Sequence, residues 1–244
     1  MDALILRFDA PLMSFGGVMV DQHNVTDRFP GLSLFAGLLA NALGWRHADS
    51  EHIGHLQERL LIACRWDILG EAVEDYHTVD LGQPKMREKG WTTRGQPEHR
   101  DGGPDAKFGT HQRYRHYWAN GVLTSVVALR QVDEAPTLPQ LEAALCRPAR
   151  PLFLGRKTCL PAAPILIGCQ AGADLLAILR AVPRATCPQR PTTASMPARW
   201  PAGLGQAVEA QIHPVYDQRD WKNQWHAGSR QVAEGPLEAT LPCS

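Results

Sequence analysis

Residues 82–116 constrain the fold of this chain more than any other stretch, because they hold almost no aliphatic side chains yet sit between two strand-like segments. Lys85, Arg87, Lys89, Arg94, Arg100, Lys107, Arg113 and Arg115 face only Glu88, Glu98, Asp101 and Asp105, with Trp91, Phe108 and Tyr114 interleaved. Such a segment cannot bury a core of its own. It must project, as a long hairpin or arm, from a core built elsewhere. Basic residues with interleaved aromatics suit tracking of a nucleic-acid backbone with stacking of its bases. The competing reading is a solvated loop without a ligand.

The rest of the chain supplies that core. Ala3 to Phe8 is an apolar run suited to a buried strand. A helix follows from Ser33, the expected N-cap, to Leu43, with Phe35, Leu38, Leu39 and Ala42 on one face and Gly44 as its stop. A second helix is expected from Asp49 to Leu60. Strands are expected at 61–69, 72–81 and 121–129, the last rich in β-branched residues. A helix over 138–145 and a strand over 164–168 complete the order β-α-β-β-α-β, with one additional helix. This is an α+β chain of the ferredoxin-like or RNA-recognition-motif type, whose sheet is a common platform for RNA.

The basic insertion falls between the second and third core strands, as a thumb hairpin. Residues 1–169 then form an RNA-recognition-like palm that includes the thumb at 82–116, and residues 170–244 form a smaller, irregular C-terminal subdomain. In that region residues 173–182 read as an apolar helix, 183–201 as a proline-rich irregular stretch, and 217–226 as alternating charge and tryptophan.

Net charge decides what kind of binder this is. Lysines and arginines total 25, aspartates and glutamates 25, and the isoelectric point is about 7.1. That excludes a free-standing, strongly basic nucleic-acid binder and requires the basic residues to be segregated in space. One segregated site is Arg150–Pro161, where Gly155 permits close approach or positive φ and Arg156 and Lys157 offer a forked donor and a point charge to phosphate oxygens. A solvated basic turn is the alternative.

Catalytic signatures are missing. No phosphate-binding G-x-x-x-x-G-K-[ST] loop, G-x-G-x-x-G, G-x-S-x-G or H-E-x-x-H occurs. His47, His52 and His55 cluster without a carboxylate or thiol to complete a zinc site, and Glu71, Glu74 and Asp75 read as solvated acids. Six scattered cysteines without C-x-x-C spacing read as structural thiols in a reducing cytoplasm. No signal-peptide core or run of membrane-spanning length occurs, so a cytoplasmic protein without a membrane partner, metal or cofactor is expected. Tyr76 and His77 point to opposite faces if their segment is a strand.

Taken in order, Leu4–Gly16, Arg28–Ser33 leading into Gly37–Gly44, Asp75–Val79, Thr124–Leu129 and Leu154–Cys159 resemble the Cas-five (CasD) family of CRISPR-associated proteins, in the type I-E Cascade branch. The resemblance implies a non-catalytic subunit of an RNA-guided antiviral surveillance complex. It would grip the 5′ handle of the CRISPR RNA, with its thumb over the start of the guide. It would contact the backbone and large subunits, with target DNA nearby in the assembled complex. Met13, Ser14, Phe15 and Gly16 would shape the handle pocket. Arg28 and the helix start at Ser33 would meet phosphate or base edges. Tyr76 and His77 would line the sheet. Gly155, Arg156, Lys157 and Thr158 would hold the RNA backbone. Lys85, Arg87 and Arg94 would act in the thumb, and Arg113, Arg115 and Tyr117 at its base.

One branch of that family is itself a metal-independent endoribonuclease that processes the precursor RNA with tyrosine, lysine and histidine. Tyr76, His77 and Lys85 are of the right types, but the adjacent Lys-His pair is absent; Arg115-His116 is the nearest substitute, and an arginine does not readily lose a proton. The endoribonuclease is the alternative function, and an adaptor that binds only protein is a third.

Overall fold

The structure, a computed structural model, describes residues 1–17, 22–80, 90–91, 97–98, 110–187, 195–205 and 209–238. In chain order its elements are β1 (Asp2–Asp9), β2 (Leu12–Met13), β3 (His23–Asn24), α1 (Leu32–Leu43), α2 (Ser50–Arg59), β4 (Leu60–Ile68) and β5 (Glu71–Asp80). Next come β6 (Gly90–Trp91), β7 (Pro97–Glu98), β8 (Thr110–Ala119), β9 (Val122–Leu129), α3 (Leu138–Cys146), β10 (Leu166–Ala171) and α4 (Leu175–Ala181). The chain ends in β11 (Ser195–Pro201), β12 (Gln211–Val215), β13 (Arg219–Asp220), β14 (Trp225–His226) and β15 (Arg230–Glu238). It is a mixed α and β fold on mostly antiparallel sheets, as the sequence pattern implies.

The main sheet has seven strands in the order β10-β1-β9-β4-β11-β15-β12, each pair antiparallel. Strand alternation sends Leu4, Leu6 and Phe8 of β1 to one face, where they meet Phe35 and Leu39 of α1, Leu56 of α2 and Leu141 of α3. Ile5 of β1 and Val126 of β9 point the other way, against Leu176 and Leu179 of α4 and Trp200 of β11. Every residue of β9 is buried, which explains its mostly apolar sequence; its two hydroxyls, Thr124 and Ser125, bond to Asp67 and Cys64 of β4.

Two fully buried charges pin α4 to the sheet. Arg65 donates from Nε to Asp67 Oδ1 at 2.7 Å and from Nη1 to the Leu179 carbonyl at 2.5 Å. Asp67 Oδ2 accepts from the Thr124 hydroxyl and from the Ala185 backbone N–H.

Between β4 and β9 the chain leaves the main sheet. β5 and β8 pair from Glu71↔Ala119 to Asp80↔Thr110, and β2 and β3 share the other edge of β8. The exit requires glycine: a Cβ on Gly121 would lie 2.7 Å from the Trp66 ring and 2.9 Å from the Gly70 Cα. β6 pairs with β7 beyond this sheet; most of the insertion's other residues, Lys85, Arg87 and Arg94 among them, lie outside the described residues.

Three expectations are corrected. The N-cap of α1 is Gly31, not Ser33, because the Leu32 N–H is taken by a distant carboxylate, Asp217 Oδ2 at 3.0 Å. The last strand of the β-α-β-β-α-β order is Leu166–Ala171, displaced towards the C-terminus from 164–168. Part of the stretch expected to be irregular is β11, a strand of the main sheet. Its Met196, Ala198 and Trp200 alternate inward, and its prolines hid that period. Cys64 and Cys159 are buried, Cys146 and Cys169 exposed and Cys187 half-buried, all as free thiols. Among the described residues no helix is long and apolar enough to cross a membrane.

Candidate functional site

The loop Leu154–Cys159 is closed on itself: the Leu154 N–H donates to the Cys159 carbonyl and the Cys159 N–H to the Arg156 carbonyl, each at 2.8 Å. It lies against the segment after β2, where the Ser14 N–H donates to the Leu154 carbonyl at 3.1 Å. The start of α1 forms a second wall. Its first N–H groups are held by Asp217, whose carboxylate accepts from Leu32 and pairs with Arg230 at 2.6 Å. The segment around Asp217 forms the third wall.

These walls enclose an open cavity of about 600 Å³. Ser14, Phe15, Gly16, Ser33, Gly155 and Arg156, all singled out from sequence, line it. Arg199, Tyr216, Arg219, Trp221 and His226 complete it from the C-terminal region. A second hollow of about 360 Å³ shares Ser33, Leu34 and Gly155 with the first and runs along α1 to His47 and Lys157. Together they make an elongated groove lined by Arg156, Lys157, Arg199 and Arg219, with Asp27 and Asp217 among them.

Individual side chains divide by what they already touch. Met13 and Phe15 are core residues; Phe15 packs between Phe8 and Trp66 with ring centroids 6.5 and 5.9 Å away. Ser14 is buried and its Oγ has no hydrogen-bond partner among the described residues. Arg156 donates to the carbonyls of Asn24 at 2.8 Å and His116 at 3.0 Å, with its guanidinium 4.6 Å above the buried Tyr117 ring. It therefore ties the small sheet to the loop while bordering the groove. Lys157 and Thr158 are exposed. Arg28 is exposed beside Phe29, away from the cavity lining.

Tyr76 is half exposed and lies 5.0 Å from the Tyr114 ring. His77 bonds Asp75 on the opposite face of β5, beside Arg113 and Arg115 in register across the pair. Neither Tyr76 nor His77 lines the groove. His52 packs against Trp45 and His55 bonds Glu134 at 2.8 Å, so these histidines do not converge as a metal group among the described residues.

One carboxylate in the groove is tuned. Partial desolvation by the groove walls raises the Asp27 carboxyl above its ordinary value, partly opposed by Arg199, although the residue as a whole is exposed. Arg199 lies over the Phe29 ring at 4.9 Å and pairs with Glu234 at 2.5 Å. Sequence reasoning missed Arg199, Tyr216, Arg219 and His226. The only signal was the charge-and-tryptophan alternation of 217–226, which gave no hint of what it would face.

The chain is thus a mixed, mostly antiparallel α/β protein whose groove carries Arg156, Arg199 and Arg219 beside Asp27 and Asp217. Comparison with known proteins gives the family. The model described as "CRISPR-associated protein (Cas_Cas5)" matches residues 3–233, and the chain belongs to that family. It is 32% identical over 190 residues to "CRISPR system Cascade subunit CasD" of Escherichia coli (strain K12), covering 74% of this chain and 77% of that protein. The fold matches a chain of a solved "CRISPR RNA-guided surveillance complex" with TM-score 0.67 and 21% identity, over 97% of this chain and 90% of that one. It also matches "Crystal structure of Cas protein" with TM-score 0.61 and 23% identity, over 97% and 95% of the two chains.

Proposed function

We propose that this chain is a non-catalytic CRISPR RNA-binding subunit of a Cascade-type surveillance complex, in which the groove grips the 5′ handle of the RNA. The observation that carries this reading is the groove itself: the Gly155–Lys157 loop, the start of α1 and the C-terminal Arg219 and Tyr216 surround one elongated hollow. Arginine forks and a lysine suit phosphate oxygens, and the exposed Tyr216 suits stacking of unpaired bases. The sheet order β10-β1-β9-β4 supports a ferredoxin-like palm. In this reading the β5–β8 ribbon is the base of a thumb that extends over the start of the guide, and residues 170–244 are a C-terminal subdomain that completes the handle site. The backbone and large subunits are its protein partners, target DNA lies nearby in the assembly, and the complex works in the cytoplasm.

The placement of Tyr76 and His77 on opposite faces of β5 favours binding over cleavage, since a tyrosine–histidine acid–base pair must converge on one phosphate. The test uses the full chain with its own repeat RNA in EDTA, reading binding and cleavage together. Handle-containing RNA should bind more tightly than a scrambled strand, without cleavage. Affinity should fall steeply with salt, as phosphate contacts release counterions. The variant Lys157→Ala/Arg219→Ala should weaken binding. Cleavage at one site in the repeat overturns the reading in favour of the endoribonuclease. Salt-independent binding, or none even within the assembled complex, favours the protein-only adaptor.

A further inference from the structure

We propose that His23, Glu74 and His116 form a binding site for a borderline transition dication of the zinc type, which staples β3 to the β5–β8 ribbon. The three residues come from three strands, and one ligand atom from each lies within 4.8 Å of the others. Glu74 stands directly opposite His116 in the antiparallel register, with its Oε2 3.3 Å from His116 Nε2. His23 is in register with Tyr114, two residues along on the same face, and its ring stacks on Tyr114 at 4.7 Å and 12°. That stacking holds the imidazole beside the other two donors.

Contacts outside the three donor side chains set this spacing. The Tyr114 N–H donates to the Gln22 carbonyl at 2.9 Å, and Arg156 bridges the carbonyls of Asn24 and His116. Two imidazoles and one carboxylate match zinc-type ions and suit magnesium or calcium poorly. Metal–ligand bonds of about 2.0–2.2 Å bring tetrahedral donors to roughly 3.4 Å from one another, so closure takes rotamer movements on the order of 1 Å. His23 and Glu74 are solvent-exposed, which gives the ion an entry path. Arg113 and Arg115 alternate to the opposite face, so the nearest cations on β8 do not oppose it. Three protein donors leave a fourth position for water. The groove lining includes none of the three residues, although Arg156, which borders the groove, bonds the His116 carbonyl.

The test uses the untagged full chain, stripped with chelator and titrated with Zn²⁺ by calorimetry and with Co²⁺ by visible absorption. One ion should bind per chain, with tetrahedral Co²⁺ bands and no thiolate charge-transfer absorption, and Zn²⁺ should raise the melting temperature over that in EDTA. Glu74→Gln and His23→Ala should each weaken Zn²⁺ binding at least about tenfold while melting like the wild type in EDTA. His213→Ala, on β12, should bind as the wild type does. His116→Ala serves as a third ligand variant, and His23→Ala on the short edge strand keeps the test decisive if it misfolds. The proposal is overturned by absence of one-to-one binding, by thiolate bands that place the ion on cysteines, or by wild-type affinity in both Glu74→Gln and His23→Ala.

Discussion

Gly155 and the carbonyl of Ser14 touch so closely that a Cβ on residue 155 would stand 1.6 Å from the Ser14 oxygen. Gly155 also has φ of +102°, a region that side chains resist. The two walls of the groove therefore meet only because residue 155 is glycine. Gly155→Ala should destabilise the chain by about 2–4 kcal/mol and lower the melting temperature, measured by circular dichroism. RNA affinity should fall with it, because the walls separate.

Arg156 and Lys157 are adjacent in sequence but differ in what holds them. Arg156→Ala removes two hydrogen bonds to backbone carbonyls and the contact with Tyr117, and should cost about 1–3 kcal/mol. Arg156→Lys should not restore it, since an ammonium cannot reproduce the fork. Lys157→Ala should melt like the wild type and lose RNA affinity alone. Denaturation and filter binding on the same three variants separate the effects.

The Arg65–Asp67 pair sits at zero exposure on both side chains. Asp67→Ala leaves Arg65 as an uncompensated buried charge and should cost about 3–5 kcal/mol. Limited proteolysis should then cut first around α4, because Arg65 and Asp67 both bond to that helix and the residues after it.

On the proposed reading, Asp27 should give RNA binding a pH dependence. Its carboxyl has a raised pKa, so on acidification it becomes neutral before an ordinary aspartate does. Binding should be tightest below that pKa and weaken as Asp27 ionises with rising pH, since its charge then opposes phosphate. Asp27→Asn should bind RNA more tightly at neutral pH and flatten the profile, read from affinities between pH 4 and 8.

Thiol reactivity should follow environment rather than exposure. Burial, with the Glu142 hydrogen bond, pushes the exposed Cys169 thiol up to about 11, so little thiolate is present at pH 8. Iodoacetamide should label Cys169 slowly, and Glu142→Gln should speed it, followed by mass spectrometry. Burial also raises the Cys64 thiol to about 11. Because this pKa is higher folded than unfolded, its contribution to stability is complete below the unfolded value and is lost as pH rises through the folded one. Native Cys64 should stay unlabelled.

Local pattern located most elements of the first 170 residues within a few positions. The strand expected over 61–69 is β4, and the helix expected over 138–145 is α3. Side-chain period and turn residues are local properties, so the sequence carries them openly. Ser33 shows the limit: it had the right chemistry for a cap, but Asp217, 185 residues away, took the Leu32 N–H. The same limit hid β11, whose inward alternation has meaning only beside β4 and β15.

The candidate site divides in the same way. Gly155 and Arg156 were legible because a glycine next to adjacent cations is unusual wherever it occurs, whereas Phe15 came only from the family resemblance. Arg199, Tyr216 and Arg219 were not, because nothing in their own neighbours says that they close a groove begun by residues 14–17 and 154–157. The same holds for His23, Glu74 and His116, which are scattered in the chain and adjacent only in the sheet. By itself the sequence located most strands and helices of the first 170 residues, but not β11. Only the tertiary structure decided which side chains share a face, because strand register and long-range hydrogen bonds bring together residues that no local period connects.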